Sequence, residues 1–323
     1  MAVITIREAL KQAMREEMQR DERVFLMGED IGAYGGAYAV TKGLVEEFGE
    51  ERVRDTPISE GIIVGAAMGA AIGGQRPVAE IMTINFAILA MDQLINHAAK
   101  MHHMFGGQWS VPLVVRMAAG WGQLSATHSQ TLEVFFAHVP GLKVLFPGTP
   151  YDSKGMLKAA IRDLDPVVFI EHTSLYGVKG EVPDGDYVVP IGRSDIKRTG
   201  KHCTLATYGR MLQVSLEAAK QLESDGIDVE IVDLRTLRPL DMVPVLESVK
   251  KTNHAVVVTE EWPSFGVGAE VAARISRESF DDLDAPVERV GSQEVPLPYA
   301  KNLEQAALPW PKDVVAAVKA ALA

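Results

Sequence analysis

Short, nearly unbroken runs of Val, Ile and Leu recur along this chain, separated by stretches of helical period. Residues 23–28, 75–84, 111–117, 142–147 and 166–171 are runs of this kind in the first half, and 202–208, 229–234, 255–259 and 287–290 in the second. A strand that is apolar on both faces must be covered on both faces. A mostly parallel sheet flanked by helices does this. The pattern predicts an α/β chain of two three-layer α/β/α domains.

The intervening stretches read as helices. Thr5 is a plausible N-cap for the first, with Glu8 completing a capping box, and that helix runs to about Arg20. A run of small apolar residues, 62–74, reads as a buried helix, and a long helix over 87–105 is stopped by Gly106-Gly107. Further helices are expected at 44–48, 151–163, 212–224, 241–250, 267–279 and 312–322. Between 172 and 200 the periodicity fades while Gly, Pro and Asp accumulate. The expected organisation is a first domain over 1–177, a linker over 178–200 and a second domain over 201–323, and 323 residues suit two domains.

Bulk properties narrow the function classes. A formal net charge of −11 argues against nucleic acid as the main partner, because phosphate binding needs a basic face. The single cysteine, Cys203, excludes an internal disulfide and a cysteine-rich metal cluster. The first residues run straight into a charged helix and make no signal-peptide core. The longest nearly uncharged run, 61–74, falls short of the roughly 20 residues that span a bilayer. The expected setting is cytoplasmic, or an organellar matrix after loss of a presequence.

Common chemical signatures are missing: no phosphate loop, no HExxH and no GxSxG. Gly266-Val267-Gly268 comes nearest to a dinucleotide fingerprint, but Val271 stands at the third glycine position. His97, His102 and His103 lack the spacing of a helical metal pair and read as packing or surface residues.

One junction stands out. Asp55-Thr56-Pro57-Ile58-Ser59-Glu60-Gly61 leads into the small-residue helix, and Pro57 bars a helix through that point. Glu60 therefore falls at the mouth of a buried helix. Two readings stand on local grounds. The helix dipole favours a carboxylate there by roughly 0.3–1 kcal/mol; alternatively, Glu60 waits for a ligand nitrogen. Glu29 follows one strand, and His128 lies in a Gly-, Ser- and Thr-rich loop after another. Ligands of open α/β sheets sit beyond the carboxyl ends of the strands, so the three could line one sheet edge.

Several blocks carry a resemblance. Gly28-Glu29-Asp30-Ile31-Gly32, Asp55-Thr56-Pro57-Ile58-Ser59-Glu60, Pro77-Val78-Ala79-Glu80-Ile81, His128-Ser129-Gln130, Pro140-Gly141-Leu142-Lys143-Val144 and Ala159-Ala160-Ile161-Arg162-Asp163 are joined by Asp233-Leu234-Arg235-Thr236-Leu237-Arg238-Pro239-Leu240-Asp241 and Pro296-Leu297-Pro298-Tyr299-Ala300. Together, over the whole chain in order, they resemble the beta subunit of thiamine-diphosphate-dependent 2-oxo acid dehydrogenases, of pyruvate, acetoin and branched-chain type.

The resemblance implies a pyrimidine-binding domain followed by a transketolase C-terminal-like domain. It implies an alpha2beta2 heterotetramer whose alpha subunit holds the cofactor's diphosphate and Mg²⁺. It also implies docking on a lipoyl acyltransferase core, with Asp281-Asp282-Leu283-Asp284 either part of that surface or a solvated loop. Carried over by position, Glu60 bonds the aminopyrimidine ring nitrogen, Ile58, Met82 and Phe86 pack around that ring, Glu29 relays protons, and His128 faces the thiazolium and substrate. Leu113, Ala160, Ile161, Asp163 and Asp165 match positions that hold a potassium ion in some members; an ordinary helix end with an Asp-Pro turn is the other reading. Trp121 and Gln123 depart from the Gly- and Asn-rich loop of many relatives. The implied reaction is oxidative decarboxylation of a 2-oxo acid, pyruvate first, with acyl transfer to lipoamide. An acetoin or branched-chain enzyme, and a non-catalytic assembly subunit of the same fold, are the alternatives.

Overall fold

The computed structural model describes Met1 to Ala323. In chain order the first part holds β1 (Ala2–Thr5), α1 (Ile6–Arg20), β2 (Val24–Gly28), α2 (Leu44–Phe48), β3 (Val53–Asp55), α3 (Glu60–Ile72) and β4 (Arg76–Ile81). It continues with α4 (Ala99–Met104), β5 (Val114–Ala119), α5 (Glu133–Ala137), β6 (Lys143–Leu145), α6 (Pro150–Arg162), β7 (Val167–His172) and β8 (Lys179–Val182). The remainder holds β9 (Asp195–Arg198), β10 (Cys203–Thr207), α7 (Arg210–Ser224), β11 (Val229–Asp233), β12 (Thr236–Arg238) and α8 (Val243–Thr252). It ends with β13 (Ala255–Val258), α9 (Val267–Glu278), β14 (Glu288–Val290), α10 (Lys301–Ala307) and α11 (Pro311–Ala321). No helix is long and apolar enough to cross a membrane.

The chain divides into two compact units, Met1–Gly120 with Phe135–Ile191, and Trp121–Val134 with Gly192–Ala323. The loop 121–134 thus groups with the second unit although it lies within the first half of the sequence.

In the first unit the strands lie in the order β6-β7-β5-β4-β2-β3, all parallel. Both faces are covered, which is why β5 and β7 are buried at every residue. The capping box at Thr5 forms: Glu8 N–H donates to Thr5 Oγ1 at 3.2 Å and Thr5 N–H to Glu8 Oε2 at 2.8 Å. α1 packs through Leu10, Ala13 and Met14 into the core that also holds Met156, Leu157 and Ile161 of α6. Gly141 at φ +102° sits where a Cβ would overlap the Ala99 carbonyl, so only glycine closes that turn.

The second unit orders its strands β14-β13-β10-β11-β9. Only β9, on the edge, is antiparallel. Its core gathers Leu205, Leu212, Ile231, Val256 and Val314.

Two departures from the sequence expectation have physical causes. The stretch 178–200 is not uniformly irregular: β8 pairs antiparallel with β1, and β9 closes the second sheet. Both strands depend on partners distant in sequence, which local periodicity cannot register. The long helix expected over 87–105 is broken into a 3-10 stretch at Ile84–Ala90, a π-helical stretch at Gln93–Ala98, and α4. The break suits its surroundings, since the Leu89 carbonyl lies close against Gly61 of α3.

Candidate active site

Strand order places the site. β2 continues to β3 on one side, whereas β4 lies on its other side. The carboxyl ends of β2 and β4 therefore flank a topological switch point, where open α/β sheets bind ligands. Glu29 is the first residue past β2, and Met82 the first past β4. Thr56 follows β3, and its N–H donates to the Gly28 carbonyl at 2.9 Å. The turn after Glu29 is tied down as well, because Gly32 N–H donates to Asp55 Oδ1 at 2.6 Å.

Glu60 opens α3 and is only 4% exposed. The helix has no side-chain N-cap bond, so this carboxylate is the anionic group of its first turn. Glu29 is buried beside it, and its Oε1 has no hydrogen-bond partner. Ser59 N–H donates to the Glu29 carboxylate, yet burial first, and then the Glu60 and Asp30 charges, hold Glu29 above the ordinary carboxylate range. Two buried carboxylates thus lie together at these strand ends, one of them with an oxygen that has no hydrogen-bond partner. Met82 and Phe86 are half-buried. Ile58, Ile62 and Leu89 leave 83%, 71% and 67% of their surface exposed.

His128 is placed differently. It ends a 3-10 turn in the loop grouped with the second unit, it is exposed, and its Nδ1 lies 3.0 Å from Thr127 Oγ1. His97, His102 and His103 are exposed, the first two hydrogen-bonded to the backbone of Asp92 and Trp109. The Gly266-Val267-Gly268 segment receives a side chain of the chain itself: Gly268 N–H donates to Glu261 Oε1 at 2.7 Å.

Of the five positions matched to a potassium site, Ala160 and Ile161 lie in the last turn of α6, Asp163 and Asp165 follow it, and Leu113 immediately precedes β5. Arg76 Nη1 donates to the carbonyls of Ile161 at 2.8 Å and Asp163 at 3.0 Å. Lys143 Nζ bonds the Asp163 and Asp165 carboxylates. The Leu113 and Ala160 carbonyls accept from Val167 and Asp163 N–H groups. The oxygen set suits a cation, but side-chain cations take much of it in this arrangement.

A second group of charges escaped the sequence reading. Arg116, inside the apolar strand β5, donates from Nη1 to Glu80 Oε2 at 2.7 Å and bonds Glu171 of β7. Tyr176 O–H donates to Glu171 Oε2 at 2.8 Å. Burial and then the Glu171 charge outweigh Arg116, and Glu80 stays above the ordinary carboxylate range. The available signal was a charged residue within each apolar run, Glu80 in Pro77–Ile81 and Arg116 in Val111–Met117.

Residues 2–179 match the transketolase pyrimidine binding domain and residues 192–314 the transketolase C-terminal domain. The pyruvate dehydrogenase E1 component subunit beta of Rhizobium meliloti is 52% identical over 99% of this chain and 70% of its own length. The Rickettsia felis protein of the same name is 49% identical, covering 98% and 97%, and the mitochondrial one of Bos taurus 47%, covering 99% and 90%.

The chain belongs to the pyruvate dehydrogenase E1 beta-subunit family.

Its family is that of a thiamine-diphosphate-dependent 2-oxo acid dehydrogenase component. The two transketolase-type domains follow in the order expected from the sequence. Among solved structures, a protein titled split gene transketolase, inactive beta4 tetramer, superposes with a TM-score of 0.80 at 26% identity, over 99% of this chain and 98% of that one. The β2/β4 switch point gathers polar and apolar side chains of the kinds a planar nitrogen heterocycle requires. Glu60 offers a buried carboxylate, Glu29 an unsatisfied carboxyl oxygen, and Met82 and Phe86 apolar walls.

Proposed function

We propose that this chain forms the ring-binding half of a pyruvate-decarboxylating active site. The observation that carries the reading is the buried Glu60 carboxylate at the first turn of α3, beside the unsatisfied Glu29. In this reading Glu60 bonds the aminopyrimidine nitrogen, and Met82, Phe86 and Ile58 bracket the ring. A buried carboxylate without a partner costs several kcal/mol or takes a proton, and a ring nitrogen relieves that cost. Glu29, already biased towards its neutral form, passes protons to and from this position. Thiamine diphosphate, when bound, supplies the electron sink that decarboxylation of a 2-oxo acid needs. His128 donates a hydrogen bond on the substrate side and assists acyl transfer to lipoamide.

The alpha subunit of an alpha2beta2 heterotetramer holds the diphosphate and Mg²⁺. Exposed Ile58, Ile62 and Leu89 beside Glu60 support a partner there, since clustered exposed apolar side chains mark interaction surfaces. The assembly docks on a lipoyl acyltransferase core. A potassium ion at the end of α6 would compete with Arg76 for the Ile161 and Asp163 carbonyls, and potassium binding is proposed in that form. The setting is the cytoplasm or an organellar matrix, as the bacterial and mitochondrial relatives suggest.

The test is a panel of pyruvate, branched-chain 2-oxo acids and acetoin, assayed on the enzyme reconstituted with its alpha subunit. Pyruvate should give the highest kcat/KM. A clear preference for acetoin or a branched acid would replace the substrate assignment.

A further inference from the structure

The second sheet has its own switch point. β10 continues to β11 on one side, while β13 lies on the other. Tyr208 and Arg210 follow β10, and Glu260 and Glu261 follow β13. By the general rule a ligand would sit at these strand ends. Here the loop 121–134 occupies the crevice.

Its grip on the surrounding residues is specific. Arg210 lies between two indoles, its guanidinium carbon 5.0 Å from the Trp121 ring centre and 4.7 Å from that of Trp310. The indoles meet edge to face at 5.7 Å. Arg210 Nη1 donates to Glu260 Oε2 at 2.6 Å, and Trp121 Nε1 approaches the same oxygen at 3.4 Å. Glu304, buried in α10, accepts through Oε1 from Gln123 N–H at 2.7 Å and Gly122 N–H at 3.2 Å. At the far end of the loop, Tyr208 O–H donates to Glu133 Oε1 at 2.9 Å. Gln123 and Ser125 sit in the left-handed region, φ +58° and +70°. Non-glycine residues hold that backbone only where the surroundings over-determine it. Between these anchors Thr127 and His128 are exposed.

We propose that Glu304, backed by the Trp121–Arg210–Trp310 stack, is a positioning residue that fixes the His128 loop in its working conformation. The proposal rests on the reading of His128 given above. It assigns the polar crevice of the second domain a use: holding the chain's own loop rather than a ligand. Trp121 and Gln123 are then the residues through which this chain sets its loop shape.

The experiment uses the enzyme coexpressed with its alpha subunit, in the variants Glu304→Ala, Glu304→Gln, His128→Ala and Glu304→Ala/His128→Ala. Hydrogen exchange of residues 121–130 is measured alongside kcat and KM for pyruvate and for a lipoyl acceptor. Glu304→Ala should assemble, exchange faster at Gly122 and Gln123, and lose roughly 10- to 100-fold in kcat/KM, the scale of a misplaced catalytic group. Glu304→Gln keeps an oxygen that accepts both N–H groups and should restore both readouts. In the His128→Ala background, Glu304→Ala should cost little more, because the two act as a unit. Wild-type exchange in Glu304→Ala, or a full additional loss in the double variant, would overturn the proposal. Wild-type kinetics in His128→Ala would instead overturn the His128 reading, while loop exchange in Glu304→Ala still decides whether Glu304 is the anchor. If Glu304→Ala fails to assemble, Trp121→Leu loosens the same loop from its other side and is read in the same way.

Discussion

Arg116 holds Glu171 with two hydrogen bonds, Nε to Oε1 at 2.6 Å and Nη2 to Oε2 at 2.9 Å, in a part of the sheet where both side chains are buried. The same guanidinium also pairs with Glu80 on the adjacent strand, although burial still holds that carboxyl above its ordinary range. One cation thus serves two carboxylates on the strands that flank β5, close behind the strand ends that carry the site.

Arg116→Met should therefore destabilise the protein by about 3–5 kcal/mol, the usual cost of leaving buried charges uncompensated. Arg116→Lys should recover only part of that, because a lysine cannot reproduce the two-pronged contact. Urea unfolding of the assembled enzyme measures both. A loss under about 1 kcal/mol for Arg116→Met, the scale of an exposed ion pair, would contradict the account.

Glu60→Gln keeps the size and the burial of the side chain but cannot share a proton in the same way. It should assemble with the alpha subunit and lose about 100- to 10,000-fold in decarboxylation, the range of a positioned acid–base group. Size-exclusion chromatography and steady-state kinetics on one preparation separate the two effects. Near-wild-type turnover would remove Glu60 from the chemistry.

Glu133 gives a pH prediction. Burial first, and then the Glu261 charge, push its carboxyl up from 4.5 to about 8. Oε2 of each residue is buried without a hydrogen-bond partner. The folded state therefore binds this proton more tightly than the unfolded chain does. The resulting stability is fully present below the unfolded pKa of 4.5 and is lost as pH rises through about 8. Glu133→Gln retains an acceptor for Tyr208 and carries no charge. Its advantage over the wild type should grow across that window, reaching on the order of 1 kcal/mol or more at the upper end. Unfolding curves at several pH values decide it, and parallel pH slopes for the two proteins would rule the effect out.

Much of the molecule was legible in the residues. Buried strands such as β5 and β7 announce themselves because apolar character on both faces has few other uses. Thr5 and Glu8 fix a helix start by bonds that span three residues. Glu60 was visible because Pro57 breaks the chain just before a small-residue helix. The Arg116 network was not read, although each member interrupts an apolar run, since only strand pairing brings β4, β5 and β7 side by side. The pieces of the expected 87–105 helix could not be foreseen either, because their geometry answers to α3, a partner outside any local window.

By itself the sequence determined what repeats locally and what a single residue forbids: alternating strands and helices, the capping box, the break at Pro57, the absence of a phosphate loop, and the family to which the blocks belong. The tertiary structure decided which charges share a site. Parallel pairing set Glu29, Glu60 and Met82 around one switch point, and strand order in the second sheet opened the crevice that Trp121 and Glu133 fill. These relations depend on contacts between residues up to about two hundred positions apart. Their energies come from burial and like-charge proximity, which exist only once the chain has folded.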